Sequence, residues 1–455
     1  MSGLARILLE MGVRVSGSDR VESPAMRDLR GLGADLYLEE DAANLPADCG
    51  VLIHSAAIPE TNPERAAAAM RGVPQIKYAS ALGMLTTLRK TLAVAGTHGK
   101  TSTTNMIASV FVDAGRSPGW VVGGQPRNLP ASARWGQGDE FIVEACEYDH
   151  SFLNLSPWIG LIHNIEPDHM DCFGNFDNLK QAFRDFAKRV HPQGAVIANG
   201  DDEAVRECLA GLDQRIIWYG LNAGNTLRAT NLDLNGARPS FTLCLEGEEL
   251  CRISLGLPGR VNILNALAAA SVAHVQGIAP NRIAPALGMV QGVRRRFELL
   301  GTWKGIPVID DYAHHPTAVA ELVDAARRTY PGRHITFVFQ AHQYARLIGF
   351  FDLFKEGLSK LDEVVVCRTY AAREKGIVPG EPEGKLAAAL RDAGVAAIDV
   401  ASFDAAIDYL SESQVDGRVI FTVGAGDVTE IAHRLCPPAE SAATDLRSSR
   451  TVAVA

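Results

Sequence analysis

The stretch Leu92–Thr104 constrains this chain most, because it joins an apolar segment, a glycine loop and a helix start without interruption. Its first four residues predict a short buried strand. The next four, Gly-Thr-His-Gly, predict a tight loop that leads into a helix beginning near Lys100. A glycine loop in this position directs several backbone N–H groups to one point, where the helix N-terminus adds partial positive charge. The pattern therefore predicts phosphate binding.

Two side chains of this stretch are suited to a nucleotide and its metal ion. Lys100 can reach the β- and γ-phosphates, and the Thr101 hydroxyl can bind Mg²⁺. The general phosphate-loop pattern is matched incompletely, since its first glycine would fall on Val94, and a plain strand–turn–helix junction is the alternative. The residues expected around the phosphates are Gly96, Thr97, His98, Gly99, Lys100, Thr101 and Ser102.

Two further predicted strands end in potential metal ligands. Glu140–Val143 predicts a strand that delivers Glu144 at its carboxyl end, and Ile159–Ile162 predicts a strand that leads to His169. Ligands gather at the carboxyl ends of strands in open α/β sheets, so both side chains should converge with the Thr101 hydroxyl. Hard oxygen and imidazole ligands of this kind suit one or two divalent ions.

Composition limits the class of protein. A length of 455 residues suits two or three domains, and 47% hydrophobic with 21% charged residues is ordinary for a globular protein. A net charge of −9 argues against a nucleic-acid-binding surface, which needs basic patches. The eight cysteines form no CxxC pair, which indicates reduced thiols in a cytoplasmic protein. No apolar run approaches the roughly 18 residues of a membrane span.

Three motifs, Gly96–Thr101, Glu144–Asp149 and Asn164–Asp171, resemble those of the Mur ligase family. The resemblance covers nearly the whole chain and implies an α/β fold with three domains. These are a Rossmann-like N-terminal domain that lacks its first strand and glycine loop, a central P-loop ATPase domain and a Rossmann-like C-terminal domain. The expected boundaries are 1–88 for UDP-sugar binding, 89–294 for ATP binding, 295–437 for amino-acid binding and 438–455 for a disordered tail.

The N-terminal domain departs from the family at its start. The chain begins inside the predicted first helix, where family members carry a strand and a glycine-rich turn, so a misplaced start codon or a truncation is expected. Strands at Val13–Asp19 and Val51–Ser55 still predict a doubly wound arrangement. By resemblance, Asp19 and Ser55 lie near the UDP-sugar. Ordinary loop residues that cap strands are the alternative.

The rest of the central domain contains further candidates. Alternation from Ile216 to Ile253 predicts antiparallel strands, and Arg184 occupies the spacing at which several family members carry a carbamylated lysine. Asn265, in an Ala-rich helix, is expected to contact adenine, with a helix-capping amide as the alternative. The Arg294–Arg296 cluster offers planar forks for phosphate, and by resemblance Arg296 contacts ATP.

The last domain again places polar motifs after predicted strands. Pro307–Ile309 leads to Asp-Asp-Tyr-Ala-His-His, and Ile335–Phe339 leads to Gln-Ala-His-Gln-Tyr-Ala-Arg. By resemblance, Asp311 contacts the ATP ribose or phosphates. The residues that the resemblance places around the amino acid are Tyr312, His314, His342 and Arg346. Family members often carry a second Arg where this chain has Ile348, which leaves the amino-acid specificity open.

The resemblance implies ATP-dependent ligation of L-alanine to the carboxylate of UDP-N-acetylmuramate through an acyl phosphate, in peptidoglycan precursor synthesis. Lys100, Glu144 and His169 would act with Mg²⁺ to neutralise charge during phosphoryl transfer, and His314 or His342 would favour the neutral amine. The implied cofactors are ATP and Mg²⁺. The implied partners are UDP-N-acetylmuramate and L-alanine, without nucleic acid or membrane, and the protein would be a monomer or homodimer.

Two alternative functions remain open. A sister ligase would add a peptide or another amino acid to the same sugar nucleotide, although the motif around His342 argues against it. A nucleotide-binding protein without ligase activity is the second alternative, because the N-terminal glycine loop is missing. A P-loop ATPase acting on macromolecules has little support in an acidic chain.

Overall fold

The structure, a computed structural model, describes residues 1–372, 374, 379–413 and 415–437, apart from the side chain of Asp171. The segment 438–455, for which the sequence predicts disorder, lies outside these residues. Two compact units are present: residues 1–297 with 324–331, and residues 298–323 with the chain from 332 onward. No helix within the described ranges combines the length and the apolar character that crossing a membrane requires.

The N-terminal part of the first unit contains short elements. Its strands pair in parallel as two separate sheets, β1 with β2 and β3 with β4, instead of one doubly wound sheet. The elements are α1 Ser2–Glu10, β1 Ser16–Ser18, α2 Pro24–Gly31, β2 Asp35–Tyr37, β3 Leu52–His54, α3 Pro63–Met70, β4 Gln75–Lys77 and α4 Tyr78–Thr86. The sequence correctly predicts the strands that are now β1 and β3, with slightly longer bounds.

The rest of the first unit is built on one ten-stranded sheet. Its strands are β5 Lys90–Ala95, β6 Gly119–Val121, β7 Ala133–Arg134, β8 Glu140–Glu144, β9 Pro157–Ile162, β10 Ala195–Asn199, β11 Ile216–Gly220, β12 Leu227–Asp233, β13 Ser240–Leu245 and β14 Glu248–Ser254. Its helices are α5 Lys100–Asp113, α6 Met170–Phe173, α7 Phe176–Lys188, α8 Glu203–Leu209, α9 Arg260–Val275 and α10 Pro280–Gly288. The strand order is β14-β13-β12-β11-β10-β9-β5-β8-β6-β7.

Apolar residues bury both faces of this sheet. Leu92 and Val94 of β5 pack in one core with α5 and α9, while Ala93 and Ala95 pack in a second core with α4 and α7. A strand covered on both faces can be apolar at every position, as the sequence of β5 is. The strands β8, β5, β9, β10 and β11 run parallel, so their carboxyl ends share one edge.

The predicted direction of one strand of this sheet is wrong. It predicts antiparallel strands from Ile216 onward, but β11 pairs in parallel with both β10 and β12. Antiparallel pairing begins only between β12 and β13 and continues to β14. The apolar alternation reports which face is buried, and it does not distinguish the direction of the neighbouring strand.

The second unit has a six-stranded sheet in the order β15-β16-β20-β17-β18-β19, parallel except for β15. The sequence predicts β16 and β17, and the apolar runs Val364–Val366 and Val419–Val423 also predict β18 and β20, but the edge strands β15 and β19 are not predicted. The strands are β15 Glu298–Trp303, β16 Ile306–Asp311, β17 His334–Phe339, β18 Glu363–Val366, β19 Ala396–Asp399 and β20 Arg418–Val423. The helices after Phe297 are α11 Pro316–Thr329, α12 Tyr344–Gly349, α13 Phe351–Leu358, α14 Glu381–Asp392, α15 Phe403–Glu412 and α16 Thr429–Leu435.

A buried histidine joins the helix α5 to the sheet. His163 follows β9, and its Nε2 lies 2.7 Å from the Thr103 hydroxyl of α5, while the Tyr219 hydroxyl of β11 lies 2.6 Å from its Nδ1. Burial lowers the pKa of His163 to about 3, with a smaller effect from the charge of Lys100. The neutral ring satisfies both hydrogen bonds, one nitrogen donating and the other accepting.

This histidine should make the stability of the protein depend on pH. Below an unfolded-state pKa of about 6.5, the unfolded chain binds a proton that the folded chain rejects. The stabilisation is therefore complete above that pH and is lost as pH falls toward the folded value. Between pH 7 and pH 5, His163 should account for about 2 kcal/mol of lost unfolding free energy.

Chemical unfolding of His163→Gln at both pH values measures this effect. In His163→Gln, the difference in unfolding free energy between pH 7 and pH 5 should be smaller than in the unsubstituted protein, whatever the absolute stability of the variant. His191→Gln, at an exposed histidine, is the control that should leave it unaltered. An equal pH dependence in His163→Gln and the unsubstituted protein would contradict the neutral, buried state of His163.

Candidate active site

The loop between β5 and α5 has the close backbone packing that a phosphate loop requires. Gly99 has a φ of +84°, and a Cβ atom placed on it would lie 2.6 Å from the Asn265 side-chain oxygen. A Cβ atom on Gly96 would lie 2.8 Å from the Cβ of His163. Both positions therefore need glycine, and α5 begins at Lys100 directly after Gly99, so its N-terminal N–H groups face the loop.

The middle of the loop is fixed by the segment that follows β9. The Thr97 and His98 N–H groups donate to the Asn164 backbone and side-chain oxygens at 3.0 and 2.8 Å. The Thr97 hydroxyl accepts from the Glu166 N–H at 2.9 Å, and His98 Nε2 lies 3.5 Å from a Glu166 carboxylate oxygen. These four contacts over two loop residues stabilise the conformation of the loop.

The Lys100 ammonium lies over this loop. Its Nζ is 2.9 and 3.1 Å from the two carboxylate oxygens of Glu147, and it donates to the carbonyl oxygens of Gly96 at 2.5 Å and Thr97 at 3.2 Å. Burial alone would lower the pKa of Lys100, but the charge and hydrogen bond of Glu147, together with the charges of Cys146 and Glu144, outweigh it, so the pKa lies above its usual value. Lys100 therefore carries a full positive charge at neutral pH.

Thr101 and Glu144 meet as the sequence predicts. The Thr101 hydroxyl donates to the Glu144 carboxylate at 3.2 Å, and the Gly123 N–H also donates to that carboxylate. Burial raises the pKa of Glu144, while the Gly123 hydrogen bond and the charges of Lys100 and Arg296 act against the increase. A hydroxyl and a carboxylate are hard oxygen donors, so this pair fits Mg²⁺.

His169 has different neighbours from those the sequence predicts. The recorded contacts of its Nε2 are with Asp168 at 3.8 Å and Glu147 at 4.0 Å, and not with Glu144. His169 adopts the left-handed conformation with φ of 56° at the start of α6, which turns the chain sharply after β9. Strand spacing predicts that His169 reaches this edge of the sheet, but a local reversal decides which carboxylate it faces.

Glu147 is the residue of this site that sequence reasoning missed. Its side chain is buried, and it contacts both Lys100 and His169. The sequence could have indicated Glu147, because it lies three residues after Glu144 in the same Glu-Ala-Cys-Glu motif.

The other predicted nucleotide residues of the first unit also have defined positions. Asn265 is buried in the interior of α9 against Gly99, so it does not cap α9, and its contact with adenine stays a prediction. Arg296 is near enough to Glu144 to act on its pKa, and Ser102 is half-buried in the first turn of α5. Arg184 donates to the carbonyl oxygens of Cys208 and Ala210 at the end of α8, so it serves a structural role.

A cavity of about 210 Å³ lies between the N-terminal part of the first unit and the turn after β8, and one predicted sugar-nucleotide residue lines it. Ser55 lines it, together with Lys77, Tyr78, Asp149 and Ser151. The Lys77 ammonium lies 3.1 Å from Asp149, so both charges are available at the cavity wall. Asp19 is exposed after β1 and does not line this cavity.

The second unit gathers its predicted residues at the carboxyl ends of its strands. The rings of Tyr312 and His314 are 5.4 Å apart, those of His314 and His342 are 5.8 Å apart, and Arg346 Nη1 lies 3.4 Å from His342 Nδ1. Tyr370, which the sequence did not indicate, stacks on His342 at 5.6 Å. Asp311 is buried at the end of β16 and accepts from the Ala313 N–H at 2.8 Å.

Comparison with known proteins agrees with this geometry. The profile described as "Mur ligase family, catalytic domain" matches residues 1–90, "Mur ligase middle domain" matches 94–273, and "Mur ligase, glutamate ligase domain" matches 295–426. Among solved structures, the UDP-N-acetylmuramate–alanine ligase of Thermotoga maritima has a TM-score of 0.80 and 26% identity, and the match covers 96% of this chain and 95% of that one. This similarity confirms the predicted α/β fold.

Relatives of similar length extend the agreement to sequence. The UDP-N-acetylmuramate–L-alanine ligase of Clostridium novyi is 38% identical over 434 residues, which cover 95% of this chain and 93% of that protein. The enzyme of the same name from Burkholderia multivorans is 40% identical over 435 residues, which cover 94% of this chain and 93% of that protein. The chain belongs to the Mur ligase family.

Proposed function

We propose that this protein ligates L-alanine to the carboxylate of UDP-N-acetylmuramate at the expense of ATP, in the synthesis of a peptidoglycan precursor. The observation that carries the proposal is the phosphate loop with Lys100 above it and the Thr101–Glu144 pair beside it. The names of relatives at 38–40% identity support the choice of sugar nucleotide and amino acid.

The reaction needs an activated carboxylate, because joining a carboxylate to an amine in water is uphill. A carboxylate oxygen attacks the γ-phosphorus of ATP, the bond to the bridging oxygen breaks, and ADP leaves. The alanine amine then attacks the acyl carbon, and the tetrahedral intermediate expels inorganic phosphate to give the amide. The amine loses its protons to a base during this second step.

The first unit supplies the groups for phosphoryl transfer. Lys100 offsets negative charge on the transferring group, and the N–H groups at the start of α5 orient the phosphates. Thr101 and Glu144 would hold Mg²⁺, which supplies further charge neutralisation when bound. Asn265, against Gly99, and Arg296, near Glu144, are proposed nucleotide contacts.

The second unit supplies the proposed amino-acid site. Arg346 carries a buried guanidinium that can pair with the carboxylate of alanine, as guanidinium groups do in bidentate geometry. His314 and His342 stand next to each other, and a neutral imidazole there can accept the amine proton. Asp311 is proposed to contact ATP, and Tyr312 to close one side of the amino-acid site.

The remaining assignments are also proposals. We assign residues 1–88 to UDP-sugar binding, 89–294 to ATP binding and 295–437 to amino-acid binding, with Ser55 and Asp19 at the sugar nucleotide. We place the protein in the cytoplasm, where ATP and UDP-sugars are available, as a monomer or homodimer that binds neither nucleic acid nor membrane.

Product formation tests the proposal directly. The protein should release phosphate and form UDP-N-acetylmuramoyl-L-alanine only when ATP, Mg²⁺, UDP-N-acetylmuramate and L-alanine are all present. A panel of glycine, L-serine and preformed peptides as amines separates this activity from that of a sister ligase. Nucleotide binding without amide product would favour the alternative of a nucleotide-binding protein that is not a ligase.

Removing the ammonium above the phosphate loop should lower turnover strongly. Lys100→Ala should reduce kcat at least about 100-fold, the usual effect of deleting one preorganised electrostatic contact. Lys188→Ala, at an exposed lysine paired with Asp185, is the matched control and should remain within twofold. Steady-state phosphate release measures both, and near-normal turnover of Lys100→Ala would remove the loop from the mechanism.

The metal assignment predicts a changed magnesium requirement. Glu144→Ala should abolish activity or raise the Mg²⁺ concentration for half-maximal rate at least about tenfold, because one charged ligand is lost. His169→Ala tests whether His169 belongs to the same site. Glu207→Gln, at an exposed carboxylate, should titrate normally. Unaltered Mg²⁺ titrations of both site variants would show that these residues do not hold the metal.

The amino-acid site predicts a selective effect on L-alanine. Arg346→Ala should raise KM for L-alanine by roughly 10- to 100-fold, the range expected for a charge-assisted hydrogen bond, and leave KM for ATP within threefold. Arg434→Ala, at a more exposed arginine paired with Asp404, serves as control. Equal increases of both KM values would indicate damage to the second unit rather than a lost contact to alanine.

A further inference from the structure

Glu147 is a buried carboxylate to which the mechanism above assigns no part. It is only 3% exposed, and both of its carboxylate oxygens face the Lys100 ammonium, at 2.9 and 3.1 Å. One of them lies 4.0 Å from His169 Nε2. Glu144, by contrast, receives hydrogen bonds from Thr101 and Gly123. The two acidic residues of one motif therefore contact different partners.

The backbone around Glu147 is held in an uncommon conformation. Asp149 and His150, in the turn that follows, have φ values of 53° and 52°, which side chains other than glycine seldom adopt. The His150 N–H donates to the Glu147 carbonyl at 3.0 Å, and the Phe152 N–H donates to the Cys146 carbonyl at 2.9 Å. These bonds close a tight turn that fixes the origin of the Glu147 side chain.

Ring contacts join this turn to the segment that bears His169. The rings of Tyr148 and His169 are 5.1 Å apart, and those of His150 and Phe173 are 4.9 Å apart, both edge to face. Such pairs add about 0.5–1.5 kcal/mol each to the burial of the rings. The segment bearing His169 therefore packs against the turn and stabilises it, and the turn fixes the position of Glu147 next to Lys100.

A lysine needs such support to act as a fixed charge. Its four-carbon side chain carries about 2 kcal/mol of rotamer entropy, so an ammonium without fixed acceptors samples many positions. Lys100 has acceptors in Gly96 and Thr97 on its own loop, and Glu147 is its charged partner. Among the contacts recorded for the Lys100 ammonium, Glu147 alone reaches it from another segment of the chain.

We propose that Glu147 is a positioning residue, which holds the Lys100 ammonium where the γ-phosphoryl group is transferred and so acts on the reaction through Lys100. This inference rests on the proposed ligase function and adds a residue to it. The Glu147 carboxylate also competes with the ATP phosphates for the Lys100 ammonium, because both are negatively charged. Glu147 should therefore aid turnover without aiding ATP affinity.

Glu147→Gln tests the inference because it keeps the shape of the side chain and removes its charge. We expect kcat to fall at least about tenfold, while the Kd of a non-hydrolysable ATP analogue stays within twofold or becomes tighter. Glu207→Gln, which disrupts an exposed carboxylate–lysine pair with Lys180, is the matched control and should change neither quantity.

A double-mutant cycle separates positioning from a structural role. If Glu147 acts through Lys100, then Glu147→Gln added to Lys100→Ala should cause no further loss of kcat. If Glu147 has only a structural role, Glu147→Gln should lower kcat by the same factor in the unsubstituted protein and in Lys100→Ala. It should also weaken binding of the ATP analogue. Should Glu147→Gln not fold, Glu147→Asp keeps the charge but withdraws it by one methylene group and should show the same loss of kcat.

The outcomes distinguish this inference from the proposed function. An unsubstituted protein that makes no amide refutes the ligase proposal. An active protein whose Glu147→Gln variant keeps kcat within twofold, or loses kcat and analogue affinity in equal measure, refutes the positioning role while the ligase proposal stands.

Discussion

The chemistry that we propose for the first unit depends on an ammonium held over a glycine loop. A charged lysine removed from water needs fixed acceptors, and the chain supplies them from its own loop and from Glu147 in the turn after β8. The segment after β9 holds the loop itself, through the contacts of Asn164 with Thr97 and His98. The neutral His163 beneath the loop keeps a second positive charge away from that point. Without these supports the loop would bind phosphate, but it could not fix where charge develops during transfer.

The parallel strands explain why so many functional groups share one edge. Thr101 lies in the first turn of α5, after the loop that follows β5, while Glu144 ends β8 and the loop-binding Asn164 follows β9, so adjacent strands deliver neighbouring side chains. The second unit repeats the principle, because Tyr312 follows β16 and His342 follows β17, with β20 between them. Strand direction accounts for the meeting of these groups, whereas the positions of His169 and Glu147 also depend on local left-handed conformations.

Sequence alone could predict what is local and periodic. The apolar run of β5, the glycine pair and the start of α5 were predictable, as was the meeting of Thr101 with Glu144 across two parallel strands. The partner of His169 was not, because His169, Asp149 and His150 adopt left-handed conformations that periodicity does not reveal. Glu147 was missed for the same reason, because its contact with Lys100 depends on the turn that contains Asp149 and His150. The direction of β11 was mistaken because alternation reports burial and not strand polarity.

The central claim, phosphoryl transfer to a carboxylate at the Lys100 loop, can be tested by following one oxygen atom. UDP-N-acetylmuramate labelled with ¹⁸O in its carboxylate should be turned over with ATP, Mg²⁺ and L-alanine, and the released phosphate examined by mass spectrometry. Our account predicts that each phosphate carries one carboxylate oxygen, because the acyl phosphate breaks at the acyl carbon. Unlabelled phosphate accompanying amide product, or AMP in place of ADP, would contradict it.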